Sequence, residues 1–552
     1  MRDLKPQLID SWKRYSKEQF MQDLVAGVIV AIIALPLSIA LALASGVSPE
    51  QGLYTAIVAG FVISALGGTK VQIAGPTAAF ATIVAGIVAR NGMEGLAVAT
   101  ILAGIMLILM GLLHMGSMIK FIPYTITTGF TAGIAVTILI GQIKDFLGLT
   151  FEKAPVETME KLEQVIACIG TTNFMALAVG CLALAILIIW PRFFHKIPAS
   201  LIAVVVTAAI VKLFSLPVNT IGDLYAISSA LPKFQMPAIS YDTVAAVLPD
   251  AFTIAVLAAI ESLLSAVVAD EMIGARHNSN MELVAQGVGN TASALFGGIP
   301  ATGAIARTAA NIKNGGTSPV AGMVHAVVLL LVLLLLMPYA ALIPMPCIAA
   351  ILFQVAYNMS GWRTVVSVIK RSPKSDIAVL LLTFFLTVVF DLVVAIAVGL
   401  SLACLLFMKR MADVAVVQEW EYVEDTQDDT GRLKPVPAHV MVYEITGPMF
   451  FGAADKIPHM DRETDKWVLI LRMRSVPALD ITALNGIQRL YQECGRRNIQ
   501  VLFSHVNPQP MSVFRKSGFY DEVGAEFFLP NIDAALECAV ELDRKREQAS
   551  VS

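Results

Sequence analysis

The sequence predicts an all-α polytopic membrane domain of fourteen segments, built as a 7+7 inverted repeat with two half-helices meeting at the midplane, followed by a C-terminal α/β domain. Three observations carry this reading. Hydrophobic residues make up 57% of the 552-residue chain and charged ones 15%, against roughly 25% charged in soluble domains, and the apolar bias fills about the first 410 residues. Two apolar stretches break off at corresponding places, one after Gly67-Gly68 (Val71 to Thr82) and one after Gly297-Gly298 (Ile299 to Ala310). Basic residues then alternate from loop to loop.

The polar head, residues 1–23, holds Arg2, Lys5, Lys13, Arg14 and Lys17, which places it in the cytoplasm and argues against a cleaved signal peptide. Apolar runs, read against Gly, Pro and charge punctuation, give spans near 24–46, 52–68, 76–89, 95–115, 122–142, 174–191 and 199–216. A second set follows near 247–269, 282–297, 302–313, 319–337, 341–357, 376–391 and 393–409. Loops placed inside by this count carry His114/Lys120, Arg192/His195/Lys196, Arg276/His277 and Arg363/Lys370/Arg371/Lys374. Loops placed outside are poorer in positive charge: 144–173 holds Glu152, Glu157, Glu160 and Glu163, and 217–243 sets Lys233 against Asp223 and Asp242. The bias supports fourteen segments with both termini cytoplasmic.

Seven is odd, so the second set crosses in the opposite sense to the first, and a true repeat is an inverted one. Each broken run is too short to span, which takes about 20 apolar residues. A helix beginning at membrane depth leaves its first N–H groups unpaired at the positive end of its dipole. Such backbone is tolerated only where it lines a cavity or is buried in protein. Two such N-termini converging make an anion site. Small residues that merely allow close helix packing are the alternative for either segment alone.

The stretch Pro36 to Ala56 (PLSIALALASGVSPEQGLYTA), AGPTAAF at 74–80 and ATGAIARTAANIKNGGTSP at 301–319 resemble the SulP sulfate-permease family of anion transporters, and the tail resembles a STAS domain. The resemblance covers nearly the whole chain. It implies core and gate domains, a homodimer and an elevator-like movement. One departure is Gln51, where many members carry an aromatic or aliphatic residue.

The first break offers Gly75, Pro76 and Thr77; proline suits a first helical turn, and the Thr77 hydroxyl stands beside the exposed amides. The second offers Thr302, Gly303, Ala304, Ile305 and Ala306, with Thr302 also a candidate cap. Arg307 follows one turn in, and an arginine at membrane depth needs a cavity or a partner. The resemblance places it by the family's anion site; snorkelling towards water is the alternative. Glu261 sits alone within VLAAIESLLSAVVA, and a desolvated carboxylate favours its neutral form, so it suits proton exchange. Ser265, one turn on, is placed to share a hydrogen bond or help hold a sodium ion near Glu261 and Thr77. The family commonly carries an acid at the position of Glu261, linked to ion coupling. Pro36 suggests a kink, and the resemblance sets Leu37 and Leu41 against the substrate cavity. Tyr54 reads as packing or an interfacial anchor, Asp391 as solvated, and His325 as a packing or interface histidine.

The soluble part divides into an acidic linker, 411–437, a STAS-like domain, 438–545, and a tail, 546–552, behind a transport domain of 24–410 with repeats 24–216 and 247–410. Strand-like runs at 439–446, 467–473 and 499–504 alternate with helical patterns at 452–460, 480–496, 508–517 and 531–545, which means a mainly parallel sheet. Asp480 reads as a helix cap, and Thr482 falls at the phosphoacceptor position of the STAS loop it resembles.

Six cysteines without CxxC spacing argue against a disulfide framework or zinc site, and there is no basic stripe suited to nucleic acid. No catalytic constellation or cofactor fingerprint is present. The expectation is therefore a proton-coupled symporter in the inner membrane, carrying a dicarboxylate, sulfate or bicarbonate. Sodium coupling, exchange and a channel stand as alternatives, ahead of a nucleobase permease or a membrane sensor. The STAS-like tail is expected to bind a cytoplasmic protein partner.

Overall fold

Proline and glycine set the ends of the membrane helices. The computed structural model describes residues 4–12, 15–117, 123–152, 155, 157–194, 197–390, 392–420, 422–424, 433–458 and 465–551. Arg2, Lys13, Arg14, Lys120, His195, Lys196, Asp391 and residues 421 and 425–432 of the acidic linker lie outside them. The chain divides into two units, Met1–Leu400 and Ser401–Ser552.

The first unit contains α1 (Gln7–Trp12), α2 (Lys17–Ala44), α3 (Pro49–Leu66), β1 (Ala74–Gly75), α4 (Ala81–Leu112), α5 (Tyr124–Leu147), α6 (Thr158–Ala167), α7 (Phe174–Phe193), α8 (Ala199–Leu213) and α9 (Ile221–Leu224). Then come α10 (Tyr241–Ile273), α11 (Ser279–Leu295), β2 (Thr302–Gly303), α12 (Ile305–Lys313), α13 (Pro319–Ala340), α14 (Met345–Ser360), α15 (Trp362–Arg371) and α16 (Lys374–Val389), and α17 (Leu392–Val414) runs on into the second unit. Proline stands in the first turn of α3, α13 and α14, where its missing N–H costs nothing. Left-handed glycines close α5, α10 and α14 at Gly148, Gly274 and Gly361. Gln51 has a local purpose: its side-chain oxygen accepts from the Ser48 N–H at 2.9 Å, capping α3. Asp23, fully buried in α2, accepts from the N–H groups of Thr317 (2.6 Å) and Ser318 (3.2 Å) and so holds the start of α13.

The helical run Ala81–Leu112 is two helices, broken at Gly92, whose φ of 67° and ψ of −172° are non-helical. Counting its halves apart and leaving aside the short α1, α6, α9 and α15, the described residues hold fourteen segments, seven per repeat. Pro36 lies inside α2, which continues past it to Ala44. α10 extends beyond the expected 247–269 because Ser240 caps a polar first turn, its hydroxyl accepting from the Thr243 N–H.

The repeat is inverted. α3 packs on α13 as α11 packs on α4, and α2 packs on α13 as α10 packs on α4. β1 and β2 run antiparallel, with Ala74 opposite Gly303 and Gly75 opposite Thr302. With Ala74 matched to Thr302 and Gly75 to Gly303, each residue pairs with the counterpart of its neighbour, as a two-fold axis through the pair requires. Small residues also serve close packing: a Cβ on Gly104 would come within 2.6 Å of the Gly287 carbonyl oxygen, and one on Gly287 within 2.4 Å of that of Gly104.

In the second unit, β3 (Val416–Trp420), β6 (Val440–Thr446), β7 (Val468–Ser475), β8 (Gln500–Ser504) and β9 (Phe528–Leu529) form one sheet in that order, and β4 (Tyr422–Glu424) pairs separately with β5 (Leu433–Pro435). The sheet is parallel except at β3, an antiparallel edge strand that the sequence pattern did not predict. Leu469, Leu471 and Phe503 face a core with α18 (Ile481–Arg496), α19 (Pro508–Lys516) and α20 (Phe519–Val523), whereas Val468, Ile470 and Leu502 face α21 (Ile532–Val551). Helices thus cover both faces, as parallel sheets require. The helix expected at 452–460 is, within the described residues, a single 3₁₀ turn at Ala454–Lys456.

Candidate functional site

β1 and β2 bring the starts of the two half-helices together. The first begins at Ala78 after Thr77, which is extended (φ −125°, ψ 156°), and the second at Ile305 after Ala304. Each first turn presents N–H groups that have no carbonyl partner within its own helix.

One face of α10 staples both breaks. Thr77 and Thr302 each donate to Glu261 Oε2 at 3.1 Å. One residue on, Ser262 Oγ accepts from the Gly303 N–H at 3.0 Å. Ser265 does not turn to Glu261; its hydroxyl lies 3.3 Å from that of Thr308, which itself accepts from the Ile73 N–H at 3.1 Å. Glu261 thus bonds the two threonines, whereas Ser265 joins α10 to α12 through Thr308, and it is Thr308 that bonds the backbone before the first break.

Arg307 is buried, 2% exposed, and its guanidinium lies against Gly75 of β1. One of its terminal nitrogens donates to the Pro76 carbonyl, while Nε and Nη1 have no hydrogen-bond partner among the described residues. Gly75 leaves the space: a Cβ there would lie 2.4 Å from Arg307 Nη1. Gly75, Pro76, Thr302, Gly303 and Ala304 are buried as well, whereas Ile305 and Ala306 are exposed and Thr77, Glu261 and Leu37 keep partial access. Leu41 is buried at 2% exposure, inside the packing of α2. His325 is fully buried in α13, and Tyr54 donates to the Ala230 carbonyl at 2.9 Å, holding the segment that links the repeats.

The sequence reading missed Ser262, Thr308 and a buried polar stripe on α11 made of Glu282, Gln286, Asn290 and Ser293. The stripe was legible in principle, because its spacing of four, four and three keeps it on one helix face. In the second unit, Asp480 caps α18 through the Ala483 N–H (2.9 Å) and accepts a second bond from the Phe451 N–H (2.9 Å). Thr482 is exposed in the first turn of that helix.

Residues 20–383 match the sulfate permease family and residues 433–535 the STAS domain. The chain is 40% identical over 531 residues to YvdB of Bacillus subtilis, named there as a candidate sulfate transporter, spanning 95% of this chain and 98% of that protein. It is 32% identical over 544 residues to the bicarbonate transporter BicA of Picosynechococcus sp., spanning 94% of each. In fold it resembles the murine Solute Carrier 26 family member A9 in its inward-facing state, with a TM-score of 0.87 at 19% identity, covering 97% of this chain and 94% of that one. These relatives are transporters, not enzymes. The chain is a multi-pass membrane protein of the sulfate permease family with a C-terminal STAS domain.

Proposed function

We propose that this protein is a proton-coupled symporter of a small anion, with Glu261 as the coupling group and the two half-helix starts, reinforced by Arg307, as the anion cradle. The observation that carries the reading is that one carboxylate oxygen of Glu261 receives hydroxyl bonds from both breaks, Thr77 and Thr302, at 3.1 Å each. Ionised, Glu261 holds the two breaks together. Protonated, it offers those hydroxyls a weaker acceptor, so the geometry of the cradle depends on the coupling proton. The unpartnered Nε and Nη1 of Arg307 support an anion nearby, since buried donors need an acceptor.

Bicarbonate and sulfate head the substrates, after the names of the two relatives; a dicarboxylate rests on charge logic alone. The inner-membrane setting with both termini cytoplasmic follows from the loop charges. The homodimer, the elevator-like movement and the division at 24–410 and 438–545 follow from the family resemblance and composition. The STAS domain, with its exposed Thr482, is assigned to binding a cytoplasmic protein.

Sodium coupling is the second reading, favoured by the convergence of three oxygens, from Thr77, Thr302 and Glu261, on one point. Uptake of labelled bicarbonate, sulfate and fumarate into proteoliposomes under an imposed pH or sodium gradient separates the two. Concentrative, proton-driven uptake retained by Glu261→Gln would remove Glu261 from the mechanism.

A further inference from the structure

Four donors converge on the Glu282 carboxylate of α11, which is fully buried. Oε2 accepts from the Gly68 N–H at 3.0 Å and the Thr69 hydroxyl at 2.9 Å. Oε1 accepts from the side-chain amides of Gln72 at 2.9 Å and Gln286 at 3.0 Å. Three of these donors belong to the loop that leads into β1, in the other repeat. The contact is close: a Cβ on Gly67 would lie 3.2 Å from Glu282 Oε2, and one on Gly68 2.1 Å from the Asn278 carbonyl oxygen. The Asn278 N–H returns the contact by donating to the Gly68 carbonyl at 3.0 Å.

The link reaches the cradle through Gln72. Its side chain lies against β2, where a Cβ on Gly303 would come within 2.0 Å of Gln72 Nε2. Gln72 also precedes Ile73, whose carbonyl accepts from the Ala304 N–H at 2.9 Å. One side chain therefore separates Glu282 from both strands of the site.

The corresponding loop of the second repeat is held differently. There Ile299 bonds to the hydroxyls of Thr55 and Ser293, and Ala301 to the amide of Asn290. All three groups are neutral. The two repeats thus share an architecture but not a clamp: beyond the Glu261 bonds that both breaks share, the loop leading into the first break hangs on the Glu282 carboxylate, and the loop leading into the second is held at Ile299 and Ala301 by neutral groups. Hydrogen bonds to an ionised acceptor are about twice as strong as neutral ones. All four partners of Glu282 are donors, which suits the ionised form.

We infer that Glu282 is a positioning residue for the anion site: its carboxylate holds the 67–73 loop and thereby sets where the first half-helix starts relative to the second. This rests on the transport reading above, with the anion bound between the two breaks.

The test is Glu282→Gln in the full-length protein, alone and with Thr69→Ala and Gln72→Leu, in three measurements. Hydrogen–deuterium exchange of detergent-purified protein should rise in 67–77 and stay unchanged in 296–304. Bicarbonate or sulfate uptake, whichever the wild type carries, should show KM raised about ten-fold with the maximal rate changed less than about three-fold. The Glu282→Gln/Thr69→Ala double variant should be little worse than Glu282→Gln alone, because both cut the same contact. Unchanged exchange at 67–77, or a rise spread equally over both breaks, overturns the proposal, as does a fall in maximal rate and protein yield with KM unaltered. Exchange changes confined to 67–77 in a protein that carries none of bicarbonate, sulfate and fumarate would leave the clamp standing and remove the transport reading.

Discussion

Thr77 and Thr302, 225 positions apart in the chain, donate to the same oxygen atom, Glu261 Oε2, each at 3.1 Å. One comes from each repeat, so a single acid on α10 reads both breaks at once. A partner group on either threonine alone would report on one half only.

Removing either hydroxyl should weaken the coupling without unfolding the protein. Thr77→Val and Thr302→Val each delete one bond to a charged acceptor, worth about 1.5–3 kcal/mol, so the concentration of coupling ion for half-maximal uptake should shift about ten-fold or more. The double variant should match Glu261→Gln in losing gradient-driven accumulation. Proteoliposome uptake at a series of imposed gradients reads this directly, and wild-type coupling in both single variants would contradict the assignment.

Gly75→Ala should behave like a variant of Arg307. The added Cβ would sit 2.4 Å from Arg307 Nη1, and because that side chain is buried it has little room to yield. Anion affinity should fall about ten-fold in Gly75→Ala and in Arg307→Ala, with the double variant no worse than Arg307→Ala. Additive losses would show that Gly75 acts on something other than Arg307.

In the second unit, Asp480→Ala removes the acceptor for two backbone N–H groups, those of Ala483 and Phe451. Loss of a cap costs about 1 kcal/mol and should lower the unfolding midpoint of this unit by about 5 °C, while Asp480→Asn keeps most of the stability. Differential scanning calorimetry distinguishes the two variants. An equal loss in both would point to the charge of Asp480, not its capping oxygen.

Cys494 is a test of burial. Desolvation, with a smaller push from Glu493, raises its thiol to about 12. The folded state therefore holds the proton more tightly than the unfolded chain, whose thiol titrates near about 8.5. Its stabilising contribution is present below that pH and is lost as pH rises towards 12. Maleimide should label Cys494 only on unfolding, and raising the pH from 7 to 9 should not speed the reaction in the native protein. Rapid native labelling, read by mass spectrometry, would contradict this.

Much of the site was legible before folding. Glu261 stood out as a lone charge in an apolar span, and the threonines as hydroxyls beside breaks that cannot span a bilayer. Ser265 was harder: being one turn from Glu261 put it on the same face, but spacing within a helix does not say which neighbour that face meets. It meets Thr308. Glu282 escaped for a related reason. It stands near the start of α11, where an acid reads as an ordinary first-turn residue, and its value depends on a loop more than 200 positions earlier. The β3 edge strand was hidden because the short run Val416–Trp420, with Gln418 and Glu419 in its middle, falls inside a stretch whose acidic composition reads as linker, and its pairing with β6 is made only in the folded sheet.

Composition, hydropathy and loop charge were enough to determine a polytopic membrane domain with two broken segments in matching places and an α/β tail. These are local properties, set by how each stretch of side chains partitions between lipid and water. The tertiary structure alone decided which groups the breaks share. Only the inverted packing of α3 on α13 and α11 on α4 brings Thr77, Thr302 and Glu261 to one point and lays the 67–73 loop on Glu282. Contacts across more than 180 positions depend on how the repeats dock, and no periodicity along one helix encodes that.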